Sequence, residues 1–439
     1  MKRIEHIRTV VTVLLLSVVI PMNAQEATDS TDIFRQHLQL NAVVVTGLTG
    51  DVHLKEVPSP VSVIQSVDLQ ARASTNIISA IAREPGVSQI TTGGAISKPV
   101  IRGLGYNRAN GWVFNSGFRE RAASGMLGLN RQWGFSRLRL SYYHLTPGII
   151  EGEQEGSTGY TPGLPFQQVY HYKAVLDNTF PGISGSIGAV RSLGENVHLR
   201  INLSREFRAP NLSELGSNGE HEGTLRYEVG NKDLKPKYSL QGDIGLDFSS
   251  KYISGQFALF ANRIDNYIFL SKTAEGNPPV FTYTGGNARL FGGEAQLDLH
   301  PIHSLHLGTT FSYVNGKQIG GTWLPMIPAP RLLSEIKYEF SHGGKLLNNA
   351  FVALELDWNA RQDHFYAVDG TETATPAYTL LNMSAGTDIV IKGKKRASLY
   401  LLADNLLDTA WQSHLSRLKE VGIYNMGRNF TVKQVIFIG

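Results

Sequence analysis

The sequence predicts an all-β transmembrane antiparallel barrel preceded by a small, partial α/β domain. Three observations carry this prediction: an export signal at the N-terminus, two-faced strands of roughly ten residues from about residue 110 onward, and Gly/Ser-rich polar faces on those strands that suit a lumen. Alternation alone would also fit a soluble β-sandwich with the apolar face as its core. Export and strand length favour the membrane, where every backbone group must be paired and many such strands have one solution, a closed barrel.

Residues 1–24 read as a signal peptide. Lys2, Arg3 and Arg8 precede an apolar run from Val10 to Ile20, and Pro21-Met22-Asn23-Ala24 leads into polar Gln25, so cleavage is expected after Ala24. The run is too short to cross about 30 Å of hydrocarbon as a helix. Residues 25–55 form a polar, flexible leader containing the β-prone run Ala42-Val43-Val44-Val45-Thr46-Gly47. Residues 56–108 are a mixed module: Val57 to Ile64 reads as turn then strand, Ser74 to Ala82 has helical spacing at Ile77, Ile78 and Ile81, and Pro85-Gly86 ends that helix.

Residues 109–439 carry the barrel pattern, with about fourteen strands expected. Val197, Leu199, Ile201 and Leu203 alternate with His198, Arg200, Asn202 and Ser204, and Val352, Leu354, Leu356 and Trp358 with Ala353, Glu355, Asp357 and Asn359. Long segments, notably 147–165 and 209–236, contrast with short turns expected at Asp265-Asn266 and Gly316-Lys317. Trp112, Phe114, Tyr142, Tyr143, Tyr252, Trp323, Trp358 and Trp411 are expected to form interfacial girdles.

Composition agrees. The 439 residues hold 41 Lys plus Arg and 37 Asp plus Glu, a formal +4, of which residues 1–24 supply +2, so the rest is near neutral and nothing points to nucleic acid. Only 18% of residues are charged against a usual ~25%, and 45 are Gly, which is unlike a typical soluble enzyme. The 42% hydrophobic content excludes disorder, and the absence of Cys excludes disulfides, thiolate metal sites and Cys nucleophiles.

The motifs, taken in order, resemble the TonB-dependent outer-membrane receptors across nearly the whole chain. Val43, Val44, Val45, Thr46 and Gly47 look like the TonB box. Val57-Pro58, Pro85-Gly86-Val87 and Ile101-Arg102-Gly103 are similar to the first half of the plug. Phe207-Arg208-Ala209-Pro210-Asn211-Leu212 and Gly230-Asn231-Lys232-Asp233-Leu234-Lys235-Pro236 look like the paired motif flanking a large extracellular loop. Gly293-Glu294, Asp404-Asn405-Leu406-Leu407-Asp408 and Gly427-Arg428-Asn429-Phe430 resemble late-strand signatures.

The resemblance implies a signal-exported receptor in the Gram-negative outer membrane that binds and imports an iron complex, haem or a metal ion. Its implied partners are TonB with ExbB and ExbD, outer-membrane lipid and the barrel assembly machinery. An extended box offers its backbone to a partner's sheet edge, a geometry that β-branched valines prefer. No cofactor is required; haem, an iron chelate or zinc is the implied ligand. Within the large loop, the resemblance points to His221 as an iron or zinc ligand, with Glu222 and Tyr227 beside it, while Arg208 either holds an anionic chelate or pairs with a lumen acid. Equally, His221 could simply decorate a solvated loop.

Other clusters read more blandly. Glu151, Glu153 and Glu155 fit a solvated loop tip, and His300, His303 and His306 bracket a turn on the periplasmic side where a metal site is conceivable. No nucleophile elbow or His-Glu-x-x-His is present, so the chain is not expected to be an enzyme. Gly103-Leu104-Gly105 lacks the third glycine of a dinucleotide loop.

The chain departs from the family pattern in three places. After Tyr106-Asn107-Arg108 the second half of the plug and the early strands are missing. A second jump is expected near Asn178-Thr179-Phe180-Pro181, and at the C-terminus Val435 and Phe437 fall out of phase with Phe430 and Val432, as in a bulge or damaged end. Family barrels have about 22 strands. The sequence therefore reads as an internally shortened receptor, the alternative function being a passive or non-functional barrel remnant without a complete plug, and a third class a surface adhesive barrel.

Overall fold

The computed structural model describes residues 6–10, 44–45, 52–53, 61–65, 77–92, 96–104, 118–131, 134–150, 172–174, 178–221, 226–340 and 346–436. Outside them lie most of the expected export segment, Val43, Thr46 and Gly47, the stretch 105–117 with Trp112 and Phe114, Glu151, Glu153, Glu155 and Glu222.

The N-terminal part contains β1 (His6–Val10), β2 (Val44–Val45), β3 (Val52–His53), β4 (Val61–Gln65), α1 (Ile77–Ile81), β5 (Val87–Thr92) and β6 (Ile96–Ile101). β1 pairs with β4, β2 with β3 and β5 with β6, all antiparallel. Helix α1 is a single turn and a half; Pro85 and Gly86, at φ 71°, turn the chain into β5.

The barrel wall follows as β7 (Phe118–Arg131), β8 (Gly134–Ile150), β9 (Tyr172–Ala174), β10 (Asn178–Ser192), β11 (Val197–Arg208), α2 (Leu212–Gly216), β12 (Asn218–His221), β13 (Arg226–Val229), β14 (Lys237–Ser249), β15 (Ile253–Ala274) and β16 (Val280–Ile302). It continues through β17 (Leu305–Gln318), β18 (Arg331–Glu339), β19 (Leu347–Asn359), β20 (Tyr378–Ile391), β21 (Lys394–Asp404) and β22 (Asn429–Ile436). Thirteen of these form one continuous path from β7 to β22, each strand antiparallel to its neighbours, while β9, β12 and β13 attach at the side. Connections at one end are short (193–196, 250–252, 303–304, 392–393). Those at the other are long (209–236, 319–330, 360–377, 405–428), the asymmetry of periplasmic turns and extracellular loops.

Burial decides between sandwich and membrane barrel. On β11, Ile201 and Leu203 are 51% and 49% exposed, whereas Arg200, Asn202 and Ser204 are 4% exposed or less. The same inversion recurs on β14, where Leu240 and Ile244 face outward and Ser239 and Asp243 inward. In water such an apolar exterior would cost about 25 cal/mol per Å² left unburied. Against hydrocarbon it is the stable arrangement, and the polar face lines a lumen.

Several sequence expectations are corrected. Asp265-Asn266 is not a turn: it lies within β15, where the register shifts between Ile264 and Tyr267 and Asn266 takes φ 58°, a bulge that mimics turn chemistry. Gly316-Lys317 also lies inside a strand, β17. Gly316 is small because loop 319–330 packs on it, and an added Cβ would come within 2.9 Å of Ile327. Residues 178–181 pair with β8 in continuous register, Asn178 opposite Leu145 and Pro181 opposite Tyr142. At the C-terminus β22 runs in one uninterrupted ladder with β21, so no bulge lies over it; Phe430 and Val432 point outward and Val435 falls on the other face as expected, while Phe437 lies outside the described residues. Of the proposed girdle, Trp358 lies at a strand end, but Trp323 stacks on His364 at 4.0 Å and Trp411 donates to the Met426 carbonyl at 3.1 Å, both within loops.

Candidate functional site

The plug is tied to the lumen wall by arginines. Arg102 follows β6 with φ 50°, and its backbone N–H donates to the Gly86 carbonyl at 2.8 Å. Its guanidinium donates to both Glu294 oxygens at 2.8 and 3.0 Å, also reaches Asp243, and lies 4.3 Å from the Phe260 ring centroid. All three charged groups are buried. A buried charge is tolerable when paired and hydrogen-bonded in this way. The plug motif Ile101-Arg102-Gly103 and the barrel motif Gly293-Glu294 thus meet in one contact.

A second tether sits under α1. Arg331 grips Asp357 through two hydrogen bonds of 2.8 and 2.7 Å and also donates to the Ala82 carbonyl just past the helix, while Arg83 pairs with Glu355 on β19. A third joins the β5–β6 hairpin to loop 405–428. Ile90 and Val100 pack on Leu415, and Thr91 donates to the Leu415 carbonyl at 3.3 Å.

The large loop is closed at its neck by the paired motif. Asn211 caps α2 in a capping box with Glu214, and Arg208 holds the same carboxylate at 2.8 and 3.0 Å. Asn231 donates to the Glu214 carbonyl, and Gly230 comes so close that a Cβ would sit 2.5 Å from the Gly216 nitrogen. Arg208 is therefore engaged by a loop acid rather than one on the lumen wall. His221 occupies the end of β12, its backbone opposite Arg226; Tyr227 donates its hydroxyl to Asn218 at 3.0 Å. Tyr227 is not among the residues lining the cavity over the plug, and Glu222 lies outside the described residues.

That cavity, about 340 Å³, lies where the extracellular loops roof the plug: Ile90 and Gly103 form its floor, with Arg226, Phe281, His414 and Arg417 around it. Arg226 stacks 4.4 Å from the Phe281 ring centroid. Burial, then the neighbouring Arg226, push the Arg417 guanidinium below its ordinary range; burial and then Arg417 do the same to Lys98 of the plug. Glu228 and Glu420 offset part of this. The cavity thus sets Arg226, Arg417 and Lys419 among the carboxylates of Glu214, Asp369, Glu372 and Glu420, a mixed charged lining in which the arginines can meet an incoming anion. His414 is held by Thr375 at 2.8 Å and lies 3.7 Å from Glu372. Sequence reasoning missed Arg226, Arg417 and His414 because they converge from two loops, 405–428 and 209–236, with no local spacing to announce them.

Fold and site define a plugged outer-membrane barrel. The β-barrel model of TonB dependent receptor-like proteins matches residues 103–406 and the TonB-dependent receptor plug domain matches 53–125, and the chain belongs to the TonB-dependent receptor family, a family of receptors and transporters. It is 26% identical over 280 residues to the ferrienterobactin receptor of Escherichia coli K12, covering 58% of this chain and 35% of that one. It is 30% identical over 135 residues to the ferric enterobactin receptor of Pseudomonas aeruginosa, covering 29% of this chain and 16% of that one. The chain spans about a third or less of the length of these curated relatives, in keeping with a shortened receptor. In fold it resembles the copper transporter OprC, with a TM-score of 0.57 at 17% identity, covering 72% of this chain and 47% of that one. It also resembles the ferric-catecholate import receptor Fiu of E. coli K12, with a TM-score of 0.50 at 17% identity, covering 72% and 45%.

Proposed function

We propose that the chain captures an anionic iron chelate at its extracellular mouth for TonB-dependent import. The observation that carries this reading is the cavity over the plug, where Arg226 is buried against Phe281 and Arg417 stands near it. A negatively charged, aromatic chelate could exchange for the carboxylates around these arginines and add its own stacking surface beside Phe281. The names of the relatives, ferrienterobactin and ferric-catecholate receptors, support the same ligand class. The cavity's arginines favour a chelate over haem or zinc, and His221 serves as a rim residue of the loop that admits it. Arg208 and Tyr227 maintain that loop.

Energy for release would come from TonB with ExbB and ExbD pulling on residues 43–47. Val44 and Val45 pair with His53 and Val52 over two residues only, a small ladder for strand addition to displace. The test is binding of a ferric catecholate to the detergent-folded chain. Arg226→Ala and Arg417→Ala should each weaken it by about tenfold or more, the scale of a charge-assisted hydrogen bond. Unchanged affinity in both would overturn the ligand assignment.

A second reading has its own observation. Thirteen strands on the wall path fall well short of the roughly 22 of full barrels, which favours a remnant that binds without gating. Uptake that survives deletion of residues 43–47 would show that transport does not use the box; binding with no uptake in the intact chain would identify the remnant.

A further inference from the structure

We propose that His300 and His306 form a two-imidazole site for a divalent transition-metal ion at the periplasmic end of the lumen, remote from the ligand cavity. The two residues face each other across the hairpin that joins β16 to β17 at His303-Ser304, with Nδ1 to Nδ1 2.7 Å and ring centroids 4.8 Å apart at 73°. His300 shares the inward face of β16 with Glu294, Gln296 and Asp298, and the register shift after Leu299 brings it opposite His306. Both rings are therefore on the lumen side, away from lipid.

Two imidazole nitrogens at 2.7 Å share one proton, so one donates and the other accepts. Glu339 Oε2 lies 3.5 Å from His306 Nε2, the ring nitrogen that His300 does not engage. A metal ion that displaces the shared proton can take one nitrogen from each ring. With bonds of about 2.0–2.1 Å at a near-tetrahedral angle the nitrogens stand about 3.3–3.4 Å apart, so the two rings turn and separate by well under 1 Å.

Glu339 plays the outer role that carboxylates take behind ligating imidazoles. Lys337 Nζ, 2.8 Å from Glu339 Oε1, holds that carboxylate back from direct ligation. Among the described residues no three His, Asp or Glu side chains converge on one point, so water completes the coordination. Imidazole donors of this kind suit Zn²⁺, Ni²⁺ and Cu²⁺ rather than Mg²⁺ or Ca²⁺.

The experiment is titration of the full chain, folded in detergent, with Zn²⁺ alone and then with Cu²⁺ followed by electron paramagnetic resonance. One Zn²⁺ per chain should be lost or weakened at least about tenfold by His300→Gln and by His306→Gln, with less loss for Glu339→Gln, while His303→Gln in the turn changes nothing. The Cu²⁺ spectrum should show two imidazole nitrogens, reduced to one in either single variant. Should a variant not fold, protection of His300 and His306 from diethylpyrocarbonate by Zn²⁺ in the unmutated chain reads the same site. The proposal is overturned if neither ion binds, if binding survives both substitutions, or if Zn²⁺ leaves both histidines equally reactive.

Discussion

Arg102 of the plug and Glu294 of the barrel wall, 192 residues apart, are joined by two parallel hydrogen bonds of 2.8 and 3.0 Å inside the lumen. This fork, completed by Asp243 and the Phe260 ring, anchors one wall of the cavity over the plug, because Gly103 beside Arg102 lines it. Holding the plug through charges suits a protein whose wall must present apolar groups outward. The lumen is the place where polar groups find one another.

Removing one partner of this buried network should be costly. Arg102→Ala is expected to destabilise the folded chain by about 3–5 kcal/mol, since it leaves Glu294 and Asp243 buried without their cation, whereas Glu294→Ala should cost less because Arg102 keeps Asp243. The double variant should cost less than the sum, a coupling that denaturant titration of all four proteins would measure. Strict additivity would show that the fork carries no energy.

Gly86 and Gly393 provide an internal comparison. Both have left-handed backbones, φ 71° and 75°, but a Cβ at Gly86 would come 1.9 Å from Glu294 Oε1, whereas Gly393 has nothing within 4 Å. Ala at Gly393 should cost only the backbone strain, about 1–2 kcal/mol. Gly86→Ala should cost clearly more and should also release Arg102, which urea melts of the two variants would show.

The lipid-facing wall is tested at Ile201, half exposed in the middle of β11. Ile201→Lys is expected to cost about 2–4 kcal/mol of folding into vesicles. Glu195→Lys, in the exposed turn before the same strand, should fall within about 0.5 kcal/mol. Equal effects would argue that the outer face does not meet hydrocarbon.

The loop neck depends on Glu214, which caps α2 and receives Arg208 at once. Glu214→Ala should open the segment 209–236 to trypsin while leaving the barrel resistant, and limited proteolysis followed by mass analysis would locate the cut. Cleavage first elsewhere would remove the neck from this role.

The alternation of β11 and β19 was legible in the sequence because a strand displays its two faces at a period of two, and inversion of burial later showed which face meets lipid. Turn chemistry was less legible. Asp265-Asn266 carries the residues of a tight turn, yet a bulge asks for the same left-handed freedom, and only the pairing of β15 with β16 separates them. Gly316 was ambiguous for a related reason: a glycine signals either a turn or a close approach, and the approaching group, Ile327, lies in another element.

By itself, then, the sequence determined the strand pattern, the polar lumen and the ordered motifs of a TonB-dependent receptor, all of which are properties of residues near one another along the chain. Tertiary structure decided which motifs touch. Arg102 finds Glu294, Arg226 finds Phe281 and stands near Arg417, and His300 meets His306, because the sheet sets residues distant in sequence on one inner surface. Side-chain charge has no local period by which such convergence could be read in advance.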